Sequence, residues 1–168
     1  PQQVTLLNTL TIGIPVLILT LSRQPSARGS HTGFLGSVGW FALSTGALMG
    51  LAGLAVYVLS AYELGDQDRV HMQRTMLLAT LILLGLANLP RALTENAESM
   101  TIADRRLILW IPAAILLFLA AMYWPPAADF FVLDGLGWQR WGIVLAATAA
   151  TMLLALAMDW LKRKSWPP

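Results

Sequence analysis

The chain has 168 residues, 57% of them hydrophobic and 12% charged, with a formal net charge of +2. Soluble globular chains carry about 45–50% apolar and about 25% charged residues, so an ordinary soluble domain is excluded, and a disordered chain with it. Eleven Lys and Arg against nine Asp and Glu are too small a surplus for a nucleic-acid-binding face. The absence of cysteine removes disulfides, zinc–thiolate sites, iron–sulfur clusters and Cys nucleophiles.

The few charges gather between long apolar runs. Val4–Leu21 is 18 residues without a charge, Thr32–Tyr62 is 31, Thr75–Leu89 is 15, Leu107–Ala128 is 22 and Trp141–Met158 is 18. The third reaches 20 residues when counted from Val70, with Arg74 at its rim. A membrane-crossing helix needs about 20 mostly apolar residues, and the runs lack the alternation of barrel strands. The first run has no basic flank before it and no small-residue cleavage site after it, so it does not read as a signal peptide. The expectation is an all-α polytopic bundle, a single domain over 1–168, with five transmembrane helices at about 4–21, 33–61, 70–89, 107–124 and 141–160.

The first helix, VTLLNTLTIGIPVLILTL, holds the unusual chemistry. Pro15 has no N–H, and its ring presses on the Thr11 carbonyl four residues back, freeing it. Gly13 loosens the backbone beside it. Asn8 and Thr11 are three apart and Thr11 and Pro15 four apart, a spacing that puts all three on one face of a regular helix. An amide oxygen, a hydroxyl and a freed carbonyl at membrane depth form the neutral oxygen set that hard cations accept and that broken transporter helices expose. Asn8 and Thr11 are thus candidate ion ligands, and Gly13 and Pro15 the helix break; plain helix–helix hydrogen bonding through the same side chains is the alternative.

In the second helix Gly46, Gly50 and Gly53 share a face, and Gly46 and Gly50 form a small-xxx-small pair. Packing within the bundle is expected there, with a dimer face as the alternative. The excess length is taken up by tilt or by a start along the surface. Asn88, beside Pro90, reads as a hydrogen bonder at the end of the third helix, and Ala92–Met100 as a short surface helix with Thr94 as cap. Pro112 reads as an early-turn proline of the fourth helix. Trp124–Trp141 reads as a turn with aromatics resting on the interface, and Asp159 as the partner of Arg163 four residues on. Glu63, Asp66 and Asp68 read as a solvated turn, and His31 and His71 are isolated and make no metal site.

Arg23, Arg28, Arg91, Arg105, Arg106, Lys162, Arg163 and Lys164 fall on one side of such a bundle, and Arg69, Arg74 and Arg140 on the other. Eight against three places the N-terminus outside and the C-terminus in the cytoplasm. Trp110 and Trp160 then lie near the inner ends and Trp124, Trp138 and Trp141 near the outer ends, as an aromatic belt. Lys162–Lys164 with Trp166 suits an anionic leaflet. The chain opens on Pro1 rather than Met, and a piece of a larger protein is the expectation.

The stretch Leu7-Asn8-Thr9-Leu10-Thr11-Ile12-Gly13-Ile14-Pro15 resembles the sixth membrane helix of P-type cation-transporting ATPases. In the calcium pumps that helix reads N-L-x-T-D-G-x-P, its Asn and Asp holding the ion. A bacterial branch reads N-x-L-T-I-G-I-P, followed by a short basic loop and a Gly/Phe-rich helix; Arg23, Arg28, Gly33 and Phe34 stand in those places. The order of elements is similar to helices six to ten of such a pump, and the specific motif covers Asn8–Phe34.

The resemblance implies the membrane part of an ATP-driven cation transporter in a bacterial plasma membrane. Asn8 carries over as an ion ligand with Thr11 as helper, while Ile12 stands where the calcium pumps have their Asp. The implied partners are the lipid bilayer, a transported cation (calcium, magnesium or a monovalent ion) and the remaining domains of the pump. ATP and Mg2+ are implied for those domains. The D-K-T-G, T-G-E and G-D-G-x-N-D motifs are absent from this chain, so it is expected to be inactive alone. The competing readings are a self-contained channel or carrier subunit that oligomerises through Gly46 and Gly50, and a non-transporting assembly subunit.

Overall fold

A computed structural model of the protein describes residues 2–21, 34–63, 69–94 and 102–165. The first helical segment runs without interruption through α1 (Gln2–Asn8), a π-helical turn (Thr9–Gly13) and α2 (Ile14–Leu21). Then come α3 (Phe34–Glu63), α4 (Arg69–Thr94), α5 (Ile102–Tyr123), the short α6 (Pro125–Phe131) and α7 (Trp138–Ser165). Among the described residues there is no strand. Four helices are long and apolar enough to cross a membrane, within α3, α4, α5 and α7, and the first segment adds a shorter apolar stretch, Gln2–Ile18. The protein is an all-α membrane-helix bundle.

The helices outrun the apolar runs. α4 passes through Pro90 and ends at Thr94, with Arg91 in its last turn. α5 begins at Ile102, so Asp104, Arg105 and Arg106 belong to it and Pro112 lies mid-helix rather than in the first turn. Hydropathy marks where side chains meet lipid, whereas backbone hydrogen bonding continues into the polar flanks. Of the surface helix expected over Ala92–Met100, residues 92–94 continue α4 and the rest lies outside the described residues. So do His31, the basic loop with Arg23 and Arg28, and the side chains of Lys162–Lys164.

α4 is the central helix. It touches the first segment, α3, α5 and α7, and 56% of its apolar window is buried against 17%, 22% and 17% for the other three. Met76, Ala79, Ile82 and Leu86 of α4 meet Val56 of α3, Phe118 of α5, Val144 of α7 and Leu10 of the π turn in one core. Two of its buried polar side chains bond within the helix: the Thr80 hydroxyl donates to the Met76 carbonyl at 2.9 Å and the Asn88 amide to the Leu84 carbonyl at 2.9 Å. Gly53 of α3 permits close approach, since a Cβ there would lie 2.9 Å from Leu77 Cδ1. Gly46 and Gly50 face open space, with nothing within 4 Å of an added Cβ.

One end of the bundle is covered by residues 124–137, which the sequence alone presented as a turn. Trp124 is extended and leads into Pro125 at the start of α6, where a missing N–H does no harm. α6 ends at Val132, in the left-handed region at φ 54°. The Leu133 N–H returns to the Ala128 carbonyl at 2.9 Å and the Val132 N–H to Asp129 at 3.3 Å, a Schellman ending. The extended strip after it buries Leu133 and Leu136 in the core. Gln3 donates to the Val132 carbonyl at 2.8 Å, the Asp134 N–H to the Thr75 hydroxyl at 3.1 Å, and the Tyr123 hydroxyl to the Leu136 carbonyl at 3.1 Å.

At the opposite end α4 and α7 are joined by an ion pair. Arg91 donates through Nε at 3.1 Å and Nη2 at 2.8 Å to one oxygen of Asp159, and through Nη1 to Asn88 Oδ1. Asp159 therefore has a partner across the bundle, 68 residues away, which its spacing to Arg163 did not suggest. The Arg163 side chain lies outside those described.

Candidate functional site

The first segment stays helical through Gly13 and Pro15, where the sequence suggested a break, but its hydrogen-bond step changes just before Pro15. The Ile14 N–H bonds to the Thr9 carbonyl, a step of five residues instead of four. The Leu10 carbonyl is left over. Ile14, which would serve it in an α-helix, is turned to Thr9, and Pro15, next in the π register, has no N–H to give. Leu10 is 3% exposed, and a buried carbonyl without a donor is costly. The indole of Trp110 on α5 supplies the donor, Nε1 to Leu10 O at 3.0 Å. The Trp110 indole N–H is thus turned toward the first segment.

The extra residue in the π turn also rotates α1 against α2, by about 100°. The single face expected for Asn8, Thr11 and Pro15 is consequently not formed: Asn8 is exposed, Thr11 half-buried and Pro15 buried. The Thr11 hydroxyl donates to the Leu7 carbonyl at 2.8 Å. Its methyl side meets α4 at Gly85, where an added Cβ would lie 2.9 Å from Thr11 Cγ2. Thr11 packs directly on α4 at Gly85, and only a glycine there leaves room for it.

From Val4 on, the exposed side of the first segment carries Val4, Thr5, Asn8, Thr9, Ile12, Gly13, Val16 and Leu17, and Val4, Asn8, Ile12 and Val16 follow one another along it at four-residue steps. The two positions where the calcium pumps carry their Asn and Asp, 8 and 12, therefore stand together on the side that no described helix of this chain covers. Asn8 shares this exposed side with two further polar residues, Thr5 and Thr9, and is the one that offers an amide oxygen. Among the described residues no group of three or more His, Asp and Glu could hold a metal ion. Trp110 is the residue that sequence reasoning missed: Pro15 pointed to the Thr11 carbonyl as the freed one, whereas the π turn shifts the orphan by one residue to Leu10, and nothing in the sequence names its donor.

Neither the comparison with curated proteins nor that with solved structures finds a match. A family model does match, described as the C-terminus of cation-transporting ATPases, and it covers residues 3–161. That range takes in the first segment, with its π turn and open stripe, and the whole helix bundle after it. This is an integral membrane protein, and the chain belongs to the family of cation-transporting ATPase C-terminal membrane regions.

Proposed function

We propose that this chain forms one wall of the ion path of a P-type pump, with Asn8 as its contribution to the ion. The observation that carries the reading is the stripe Val4, Asn8, Ile12 and Val16, open on the side away from the bundle. A pump of this family brings further membrane helices, among them its fourth, against the helix that carries these positions. Asn8 then offers an amide oxygen, and the π turn keeps a non-helical stretch of backbone at membrane depth, where such backbone belongs beside a cavity or within protein. Thr11 serves as the joint to α4, its hydroxyl already bonded within its own helix. α4, α5 and α6 touch the segment directly, and α3 and α7 back α4 from behind.

Ile12 offers no charge, so the counter-charge comes from helices outside this chain. Calcium, magnesium and monovalent cations all suit a neutral oxygen. The energy comes from ATP and Mg2+ in cytoplasmic domains, whose motifs this chain does not carry. A bacterial plasma membrane and an external N-terminus complete the reading. A self-contained channel or an assembly subunit draws no support from the family match.

The test is Asn8→Ala in the full-length protein, reading ATP hydrolysis at fixed MgATP against calcium, sodium and potassium in turn. Loss of one oxygen to a cation raises the half-saturating concentration of the transported ion by about 10-fold or more. An unchanged half-saturating concentration for every stimulating ion removes Asn8 from the path.

A further inference from the structure

We propose that Trp110 is a positioning residue whose indole N–H locks the π turn in register and so sets the direction in which Asn8 faces. Only the functional consequence of this lock rests on Asn8 belonging to the ion path. The lock itself stands on the Trp110–Leu10 contact.

Three facts converge on one atom. The Leu10 carbonyl loses its α-helical donor because Ile14 bonds to Thr9. It has no π-helical donor because the next residue is Pro15. Leu10 is buried in the core, out of reach of water. The indole Nε1 of Trp110 is a donor only, and from a half-buried position against the core it reaches this acceptor, 100 residues away. The bond is selective for the π turn: in a regular α-helix the Leu10 carbonyl would accept from Ile14, and the indole would be redundant. Trp110 thereby favours the helix with the extra residue over the one without it. The two differ by about 100° in where Asn8 stands relative to the buried Pro15. A side chain on α5 thus controls the orientation of a residue on the opposite surface of the first segment without touching it.

The experiment is a double-mutant cycle in the full-length protein in lipid nanodiscs, using Trp110→Phe, which keeps an aromatic ring but lacks the N–H, and Pro15→Ala, which restores a backbone donor. Amide hydrogen exchange of the peptide spanning residues 9–16 is read in all four forms. Trp110→Phe alone is expected to speed exchange there by about 10-fold. In the Pro15→Ala background, where the helix supplies its own donor, the same substitution is expected to change exchange by less than about 2-fold. No acceleration in the single variant, or an equal acceleration in both backgrounds, overturns the proposal. As a functional readout, Trp110→Phe raises the half-saturating ion concentration about 3-fold with the maximal rate held, and this effect too disappears in Pro15→Ala. If the exchange coupling is present while Asn8→Ala leaves ion affinity unchanged, the lock stands and the assignment of Asn8 to the ion path falls.

Discussion

At the scale of single residues, two positions are controlled by less than one side chain of space. Gly85 lies against Thr11, and a Cβ there would sit 2.9 Å from Thr11 Cγ2 and 3.2 Å from Thr11 Cβ. Gly85→Ala pushes the first segment off α4 and is expected to cost about 1–3 kcal/mol, read as a lower thermal midpoint in detergent. Adding Thr11→Ser removes the methyl and keeps the hydroxyl bond to Leu7, so it recovers part of the loss; no recovery would mean that the strain lies elsewhere. Val132 presents the opposite case, a β-branched residue at φ 54°, where left-handed backbone costs an L-residue about 1–2 kcal/mol. Val132→Gly relieves that and raises the midpoint, since the Schellman bonds and the Gln3 bond are made by backbone atoms of the turn; a lower midpoint would assign the exposed valine side chain a packing role. The sequence announced Asn8, Thr11, Gly13 and Pro15 as the unusual residues and Pro15 as the break. It did not announce where they face, because spacing arguments assume a constant helical step, and one inserted residue was enough to send Asn8 outward and Thr11 to Gly85.

At the scale of elements, the apolar runs identified the hydrophobic helices because charge avoidance is a one-dimensional property. The cap was hidden for the complementary reason. Residues 124–137 owe their form to partners distant in the chain: Gln3, Thr75 and Tyr123 hold the strip, and Leu133 and Leu136 plug the core. The Arg91–Asp159 pair was hidden likewise, behind a plausible local partner at Arg163. The pair is lopsided, with the Arg91 side chain 11% exposed and that of Asp159 41%. Removing the carboxylate takes the ionic partner from the more buried guanidinium, while the Asn88 oxygen and a long bond to the Ala155 carbonyl stay in place. Asp159→Ala is expected to cost about 1–3 kcal/mol after allowance for solvent at Asp159. The double replacement Arg91→Leu, Asp159→Leu is expected to cost less than the single truncation, because it removes the desolvated charge as well. Melting midpoints of the unmodified protein, the single and the double variant decide this, and a double variant at least as unstable as Asp159→Ala would contradict it.

At the scale of the molecule, charge position predicts an orientation that the bundle's geometry leaves free. The Cys-free chain makes this direct to measure in a full-length protein cleared of other cysteines. A cysteine at position 68 is expected to react with an impermeant thiol reagent on intact cells, and one at position 164 only after permeabilisation; the reverse pattern inverts the molecule. Helix number and class were legible because they stem from the bilayer's thickness. The central place of α4 was not, because nothing in a hydropathy profile separates a helix surrounded by helices from one surrounded by lipid. The wide separation of the first segment's contacts has a consequence for how the protein is made. Its hydrogen bonds reach Trp110 and Val132, 100 and 129 residues downstream. At about 5–20 residues per second of synthesis, the segment waits about 5–20 s in the membrane before α5 exists to cover the Leu10 carbonyl. Throughout that interval the nascent helix keeps an open backbone and an uncovered Asn8, so the earliest part of this chain to be translated is secured only after most of the chain exists.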